Sequence, residues 1–213
     1  MSDTIQIIYN ELGDKEKYKN DELIEVISYT TDGKISMRTE YEFGEEVCIF
    51  HYNDEKLIMM SEYENNEEIS SSSYDENEKI FMKTEYENEE EVRNLVYSDG
   101  KLTTLIEFED GVEVLNIFYK DSQIIKYSQL LDDEVLEDVI FNEGQILYIN
   151  KYVEDTHKTI VFENKKIIKI SNYKDDDLID IVKRENIDDI EVLENEYIIH
   201  LNHFMNKYSI ENI

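Results

Sequence analysis

The sequence of residues 79–119 is KIFMKTEYENEEEVRNLVYSDGKLTTLIEFEDGVEVLNIFY, and it contains the unit from which most of the chain is built. An aromatic residue recurs in it about every eleven positions, between short turn-forming segments. Such regular spacing predicts a repeat architecture made of one small structural unit. The spacing continues in both directions, with Leu130 in the one gap, through Tyr29, Tyr41, Tyr52, Tyr63, Tyr74, Tyr86, Tyr97, Phe108, Tyr119, Phe141, Tyr152, Phe162 and Tyr173.

Two kinds of turn alternate along the chain, and each kind recurs after about 22 residues. Ser98-Asp99-Gly100-Lys101 represents the first kind, and Asp110-Gly111-Val112-Glu113 represents the second kind, which is more acidic. Asp-Gly and Asn-rich pairs accept the positive φ angles that tight hairpin turns require. The repeat is therefore predicted to be a β-hairpin.

The residues between turns alternate in polarity, as expected of strands with one buried face. In one strand this pattern places Ile35, Met37, Thr39 and Tyr41 on the apolar face and Lys34, Ser36, Arg38 and Glu40 on the other. The same pattern recurs in the next three repeats. The second face is expected to meet solvent or a partner, and it carries Glu40, Glu62, Glu85 and Glu107 at the 22-residue step.

These patterns predict a mainly β fold, a long curved antiparallel β-meander of about fourteen strands built from 22-residue hairpin repeats, with a C-terminal helical segment. Residues 1–27 are expected to form one or more N-terminal strands or a first repeat, residues 28–174 the repeat sheet, and residues 175–213 a helical cap. An amphipathic helix is predicted from Asp189, capped by Asp188 or Asp189, with a shorter helix before it over Asp177 to Arg184. These helices are expected to cover one end of the sheet.

The residues Tyr97-Ser-Asp-Gly-Lys-Leu, Glu107-Phe108-Glu109-Asp110-Gly111 and Phe118-Tyr119 resemble the MORN-variant repeat of bacterial antitoxin-like and immunity proteins. The resemblance covers roughly residues 29 to 173. It implies a protein-binding or inhibitory role and not catalysis, and it supplies no catalytic residue.

The charge of the chain narrows the class of partner. The chain has 52 acidic and 21 basic side chains and a formal net charge of −31. Such a field repels nucleic acid and anionic membranes but attracts a basic protein, such as a nuclease. The 16 Tyr and 8 Phe residues are too many for an acidic disordered tail, so the chain is expected to fold.

The sequence predicts no catalytic residue, cofactor or metal site. Its single cysteine, Cys48, has no partner for an internal disulfide, and the N-terminus lacks the pattern of a signal peptide, so a cytoplasmic location is expected. Glu196, His200 and His203 share one face of the predicted helix but lack the further ligands of a zinc site.

Acidic pairs in the second kind of turn are predicted to lie in a row along one edge of the sheet. Two interpretations are open: the row imitates a nucleic-acid backbone, or it keeps exposed sheets from stacking on one another. The predicted partner-binding residues are Glu45, Glu46, Glu67, Glu68, Glu89 and Glu90 in the turns, with Glu40, Glu62, Glu85 and Glu107 on the sheet.

The leading hypothesis is an acidic inhibitor, an immunity or antitoxin protein that neutralises a basic nuclease-like toxin by occluding its active site or substrate channel. One alternative is a phage-encoded nucleic-acid mimic that inhibits a host defence nuclease such as a CRISPR effector. Another is a non-catalytic β-repeat scaffold.

Overall fold

The computed structural model describes residues 3–132, 134–175, 177–187 and 190–210. It confirms a mainly β fold with antiparallel meander topology and a C-terminal helix. Within the described residues there are seventeen strands and one α-helix. The chain divides into two compact units, unit 1 over residues 1–100 and unit 2 over residues 101–213.

Unit 1 is a meander in which each strand pairs antiparallel with the next one along the chain. The predicted N-terminal strand is confirmed as β1, and the repeat already begins before Tyr29, because Tyr18 pairs with Leu23 across a tight turn. Its strands are β1 (Ile5–Tyr9), β2 (Lys15–Lys19), β3 (Glu22–Tyr29), β4 (Ile35–Glu42), β5 (Glu45–Asn53), β6 (Lys56–Glu64), β7 (Glu67–Tyr74), β8 (Ile80–Glu87) and β9 (Glu90–Ser98).

Unit 2 is also an antiparallel meander, followed by a 3₁₀ turn (Arg184–Asn186) and helix α1 (Ile190–Lys207). Its strands are β10 (Lys101–Glu109), β11 (Val112–Lys120), β12 (Gln123–Leu131), β13 (Glu134–Asn142), β14 (Gln145–Val153), β15 (Thr156–Glu163), β16 (Lys166–Lys174) and β17 (Asp177–Lys183).

The short helix predicted over Asp177 to Arg184 is wrong, because most of that segment is strand β17. Its sequence DLIDIVK contains three β-branched residues, which favour extended backbone. It pairs antiparallel with β16, and this neighbouring strand supplies the backbone hydrogen-bond partners that an extended segment needs. The long helix is confirmed as α1, and its predicted caps Asp188 and Asp189 lie outside the described residues.

Most hairpin turns have two central residues with positive φ, as the turn sequences predict. Asn65 and Asn66 have φ angles of 54° and 64°. The turn between β4 and β5 is unusual because Phe43 adopts φ 53° before Gly44 and is 93% exposed. Because the Phe43 side chain is almost fully exposed, packing against the described residues does not explain a phenylalanine at this position.

A β-bulge beside most of the periodic aromatic residues decides which face each one occupies. Glu40 pairs with Cys48 but Tyr41 pairs with Glu46, so Val47 is the extra residue. Ser28 pairs with Met37 but Tyr29 pairs with Ile35, so Ser36 is extra and Ile35 lies opposite Tyr29. The prediction that Ile35 shares one face with Met37 and Tyr41 is therefore wrong.

The aromatic residues form two rows on opposite faces of each sheet, since cross-strand partners share a face. We call face 1 the side of Thr39 and Tyr41, and face 2 the side of Arg38 and Tyr52. On face 2 the partners of the aromatic residues are aliphatic, in the pairs Tyr29–Ile35, Tyr52–Leu57, Tyr74–Ile80, Tyr119–Ile124, Phe141–Ile146 and Phe162–Ile167.

Helix α1 covers face 2 of unit 2. The Phe204 ring lies 4.1 Å from the Tyr127 ring, and Tyr197 meets Phe162 edge-on at 6.1 Å. The fully buried side chains beneath the helix include Ile149 and Ile160. Burial of these apolar surfaces stabilises unit 2 through the hydrophobic effect.

Unit 1 is built differently, because the structure describes no helix in it. Among its described large apolar side chains only Leu95 is buried. The buried polar residues on its face 1 are small, namely Thr39, Ser61 and Thr84. Both faces of unit 1 therefore present side chains that no other element of that unit covers.

Candidate protein-binding site

The two long edges of unit 1 differ in how their charges are arranged. One edge consists of the first kind of turn and carries a ladder of ion pairs, which we call the lysine edge. Lys34 Nζ lies 2.5 Å from Asp54 Oδ1, and Lys79 Nζ lies 3.4 Å from Asp99 Oδ1. Hydrogen bonding to Lys34 lowers the pKa of Asp54 and raises that of the lysine. Three acids of this edge, Asp32, Asp54 and Asp99, are thus paired with lysines of their own chain.

The opposite edge, which we call the glutamate edge, consists of the second kind of turn. At each of three successive hairpin tips, two glutamates lie directly opposite each other, in the pairs Glu42–Glu45, Glu64–Glu67 and Glu87–Glu90. Like charges in directly opposed positions destabilise a sheet. None of these six carboxylates forms an ion pair or hydrogen bond within the part of the chain that the structure describes. The negative charge here is uncompensated.

Immediately inside this edge, face 1 carries three aromatic–carboxylate pairs that we call the Tyr–Glu strip: Tyr41–Glu46, Tyr63–Glu68 and Tyr86–Glu91. The Tyr41 hydroxyl donates to Glu46 Oε1 at 3.3 Å. Burial raises the pKa of Tyr63, and the carboxylates of Glu68 and Glu46 raise it further. Tyr63 therefore lies in the field of carboxylates from its own hairpin and from the preceding one.

The three rings are held by the sheet and are only half-buried. Tyr86 shares a hydrogen bond of 3.2 Å with Ser71 on the neighbouring strand, and the amide of Asn94 donates to Glu91. These contacts fix the strip within the ladder of strands β4 to β9. The strip is a periodic surface of half-buried rings and partly solvated carboxylates.

Six of the predicted site residues lie together on this part of unit 1. Glu45, Glu67 and Glu90 are members of the tip pairs, Glu46 and Glu68 belong to the Tyr–Glu strip, and Glu89 is a turn residue with φ 66°. Their arrangement along one edge agrees with the sequence prediction. Their role in binding remains a proposal.

The other four predicted residues lie on face 2, and each has a partner. Glu40 pairs with Arg38 at 3.0 Å, and Glu62 accepts a 2.5 Å hydrogen bond from Ser70. Glu85 lies 3.3 Å from Lys83 and 3.0 Å from Arg93.

The fourth of these residues, Glu107, lies on the face that is expected to meet solvent or a partner, but in unit 2 the end of α1 covers it. It accepts a 2.7 Å hydrogen bond from the Tyr208 hydroxyl and lies 3.8 Å from Lys207 at the end of α1. The helix covers face 2 because this face has the larger aliphatic content in unit 2. Leu105, Ile117 and Ile149 on it are fully buried.

Sequence reasoning missed Glu42, Glu64, Glu87 and Glu91, and it also missed the exposed Phe43. The signal was present in the residue that follows each aromatic by five positions. On face 2 this residue is usually Leu or Ile, whereas on face 1 of unit 1 it is Glu46, Glu68 or Glu91 beside three of the rings and Leu23 beside Tyr18. A glutamate five positions after the aromatic residue therefore identifies the three aromatic–carboxylate pairs of unit 1.

Unit 2 lacks most of this chemistry on its face 1. Phe108–Glu113 keeps the aromatic–carboxylate pattern, but the following pairs are Leu130–Val135, Tyr152–His157 and Tyr173–Leu178. The His157 and Tyr173 rings stack at 4.3 Å. The alternation of tyrosine and glutamate is confined to unit 1.

A groove of about 540 Å³ lies beside α1 in unit 2. Tyr127, Phe204 and His200 line it. The Tyr127 hydroxyl donates to Glu137 at 2.8 Å, and Lys151 lies 2.9 Å from the same carboxylate. Burial raises the pKa of Tyr127 well above its ordinary value. These groups satisfy one another and pack the helix on the sheet.

No group of three or more His, Cys, Asp or Glu residues within the described ranges has the arrangement of a metal site. Burial raises the pKa of the Cys48 thiol to about 11, with Glu40 and Glu62 contributing. Such a thiol is almost fully protonated at neutral pH and is a poor nucleophile. None of the described helices is long and apolar enough to cross a membrane.

No protein-family model matches the chain, and no curated protein matches it. Among solved structures, the chain is similar to a mutant of S. aureus TarM in complex with Fondaparinux, alpha-GlcNAc-glycerol and UDP, at 15% identity and a TM-score of 0.40. The match covers 46% of this chain and 21% of that one.

The chain is also similar to accessory secretory protein 1, 2 and 3 of Streptococcus pneumoniae, at 14% identity and a TM-score of 0.38, covering 46% of this chain and 19% of the other. The GtfA/B complex bound to UDP and GlcNAc matches at 12% identity and a TM-score of 0.23, covering 56% and 24%. The chain thus spans about a quarter or less of these proteins, and similarities this weak carry no functional inference.

Proposed function

We propose that this chain is a non-catalytic, acidic inhibitor that binds a basic protein through the glutamate edge of unit 1. The partner class that best fits is a nuclease-like toxin, with this chain acting in the cytoplasm as its immunity or antitoxin protein. The acidic surface would occlude the basic active site or substrate channel. The resemblance to MORN-variant repeats supports a binding role.

The observation that carries this proposal is the set of three opposed glutamate pairs without cations. Lysines pair with aspartates on the lysine edge, and lysines at equivalent positions on the glutamate edge would neutralise its glutamates in the same way. Retaining directly opposed like charges costs stability at each tip, about 0.2–1 kcal/mol. A basic partner would relieve this repulsion on binding and would be steered to the surface by the field of the whole chain.

The face 2 acids contribute less to this surface. Glu40, Glu62 and Glu85 are already paired with groups of the same sheet, and Glu107 is covered by α1. A partner would have to break those contacts, whereas the glutamates at the tips have no contacts to break. We therefore place the interface on the glutamate edge.

The test uses two triple charge reversals with the same change in net charge. The site variant is Glu45→Lys, Glu67→Lys and Glu90→Lys, and the matched control is Glu11→Lys, Glu55→Lys and Glu76→Lys at exposed positions on the lysine edge. The tagged proteins are expressed in the native host or a close relative, and retained proteins are identified after nuclease digestion. Each variant is first checked by circular dichroism.

The expected result is one basic nuclease-like protein at near-equal stoichiometry with the wild type and the control, but not with the site variant. The purified partner should then lose its nuclease activity when the wild-type chain is added. Equal retention by both variants would contradict the proposed surface. Retention without inhibition would favour the scaffold alternative, and the identity of the partner separates a toxin from a defence nuclease.

A further inference from the structure

We propose that the Tyr–Glu strip binds an extended basic segment of the partner, in polyproline II conformation, that carries arginine or lysine at every third residue. This inference rests on the proposed function and specifies the partner's recognition segment. It concerns face 1 of unit 1 and not the hairpin tips.

The first reason is chemical. Each repeat offers one tyrosine ring and one carboxylate as cross-strand neighbours. A guanidinium group can stack on an aromatic ring while it donates two hydrogen bonds to a carboxylate. The carboxylates of Glu68 and Glu46 both raise the pKa of Tyr63, so this ring lies in the field of acids from two successive repeats.

The second reason is spacing. One repeat advances the sheet by two strands, which is about 9.6 Å at the usual strand separation. A polyproline II helix rises about 3.1 Å per residue with three residues per turn, so residues i, i+3 and i+6 lie on one side at steps of about 9.3 Å. Three such cations would face the pairs of Tyr41, Tyr63 and Tyr86 in turn.

Other conformations of the segment fit less well. In a β-strand, residues on one side recur at about 6.6 Å, and so they fall out of phase with the strip after one repeat. In an α-helix the nearest repeat on one side is seven residues, or about 10.5 Å, which drifts by about an ångström per step. A segment with three-residue periodicity is the one that stays in register over three repeats.

The third reason is the contrast within the chain itself. At the corresponding positions of unit 2, Phe108–Glu113 has a ring and a carboxylate but no tyrosine, Leu130–Val135 and Tyr173–Leu178 offer no carboxylate, and Tyr152 faces His157. The strip is therefore a local feature of three consecutive repeats. A general need for solubility would not restrict it to face 1 of unit 1.

The test uses synthetic peptides of nine residues with three arginines and otherwise proline and alanine. In the first peptide the arginines occupy positions one, four and seven, and in the second they occupy one, three and five, so that charge and composition are equal. Affinity for the full-length chain is measured by fluorescence anisotropy at low salt and at about 0.15 M salt, where screening weakens non-specific attraction.

The first peptide is expected to bind at least about tenfold more tightly than the second, because only its cations reach the ring and carboxylate of each repeat. The strip variant Glu46→Gln, Glu68→Gln and Glu91→Gln should lose this preference. The tip variant Glu45→Gln, Glu67→Gln and Glu90→Gln removes the same charge and should weaken both peptides alike while the preference remains. Thermal unfolding of each variant confirms that it is folded.

Equal affinity for the two peptides would overturn this inference, as would an unchanged preference in the strip variant. Neither result bears on the proposed function, which is tested by capture of the protein partner with the charge reversals at the hairpin tips. Conversely, absence of any basic partner would remove the proposed function even if the peptide preference were found. The two proposals therefore fail separately.

Discussion

Arg184 binds Glu194 across the junction between the last strand segment and helix α1. Its guanidinium donates two hydrogen bonds to the carboxylate, one of them from Nη2 at 3.3 Å. Glu194 also accepts a 2.6 Å hydrogen bond from the Ile167 amide, while Arg184 donates to the Ile167 carbonyl at 2.8 Å. The pair thus fixes the first half of α1 on strand β16.

Removal of one member of this pair is expected to destabilise unit 2. Glu194 is only 8% exposed, so Arg184→Met would leave a nearly buried carboxylate with a single backbone donor. We expect the free energy of unfolding to fall measurably, because Glu194 loses its charged partner. Urea denaturation followed by circular dichroism measures it. The double variant Arg184→Met and Glu194→Leu should be more stable than Arg184→Met alone, and strict additivity would contradict the pairing.

The same pair predicts a pH dependence. Hydrogen bonding to Arg184 lowers the pKa of Glu194 below its ordinary value of 4.5. A depressed folded pKa contributes stability that is fully present above the unfolded value and is lost as the pH falls through the folded pKa. Between about pH 5 and pH 3, the wild type should therefore lose more stability than Glu194→Gln. Denaturation at stepped pH values compares the two, and the difference cancels the titration of the other carboxylates.

The opposed glutamates at the hairpin tips predict a stabilising substitution. Glu64→Lys replaces a like-charge pair with an ion pair to Glu67, and we expect unfolding free energy to rise by about 0.5 kcal/mol. Since the gain is electrostatic, it should shrink in high salt. The comparison variant Glu55→Lys lies on the lysine edge and should give no such gain. A stabilisation that is equal in low and high salt would argue against repulsion at the tip.

Positive φ angles in the turns predict the effect of side-chain replacement at Asn66, whose φ is 64°. Alanine lacks the local hydrogen bonding that lets asparagine adopt this conformation, so Asn66→Ala should cost about 1 kcal/mol. Asn66→Gly should cost little, because glycine adopts positive φ without strain. Chemical denaturation ranks the three proteins. Equal stability of the alanine and glycine variants would contradict the turn geometry.

The Cys48 thiol predicts slow alkylation. Because its pKa is raised to about 11, only a small fraction is thiolate at pH 8. Its reaction with iodoacetamide should be slower than that of a free cysteine peptide by about a hundredfold, and denaturant should restore the ordinary rate. Mass spectrometry at fixed times follows the modification. A rate in the folded chain equal to that of the peptide would show that the thiol is not protected.

The sequence alone was sufficient to predict the hairpin repeat, the antiparallel meander and the C-terminal helix. Local signals carry this information: Asp-Gly and Asn-rich turns accept positive φ, and the 22-residue period fixes successive hairpins in register. The row of Glu45, Glu67 and Glu90 along one edge also followed from the period. Segment 177–183 was misassigned because its apolar spacing fits a helix as well as a strand, and only pairing with β16 decides it.

What the tertiary structure decided was the use of the two faces. Bulges beside residues such as Tyr41 and Tyr29 insert one extra residue, and a shift of one residue reverses the face of every side chain beyond it. Alternation read from the sequence passes over such a shift, which is why Ile35 is wrongly expected on the face of Met37. The cover of Glu107 by the end of α1 depends instead on a contact with Tyr208, which is far away in the chain. The repeat determines the strands and turns because these depend on neighbours in sequence, whereas faces, cover and charge pairing depend on strand register and on packing between segments far apart in the chain.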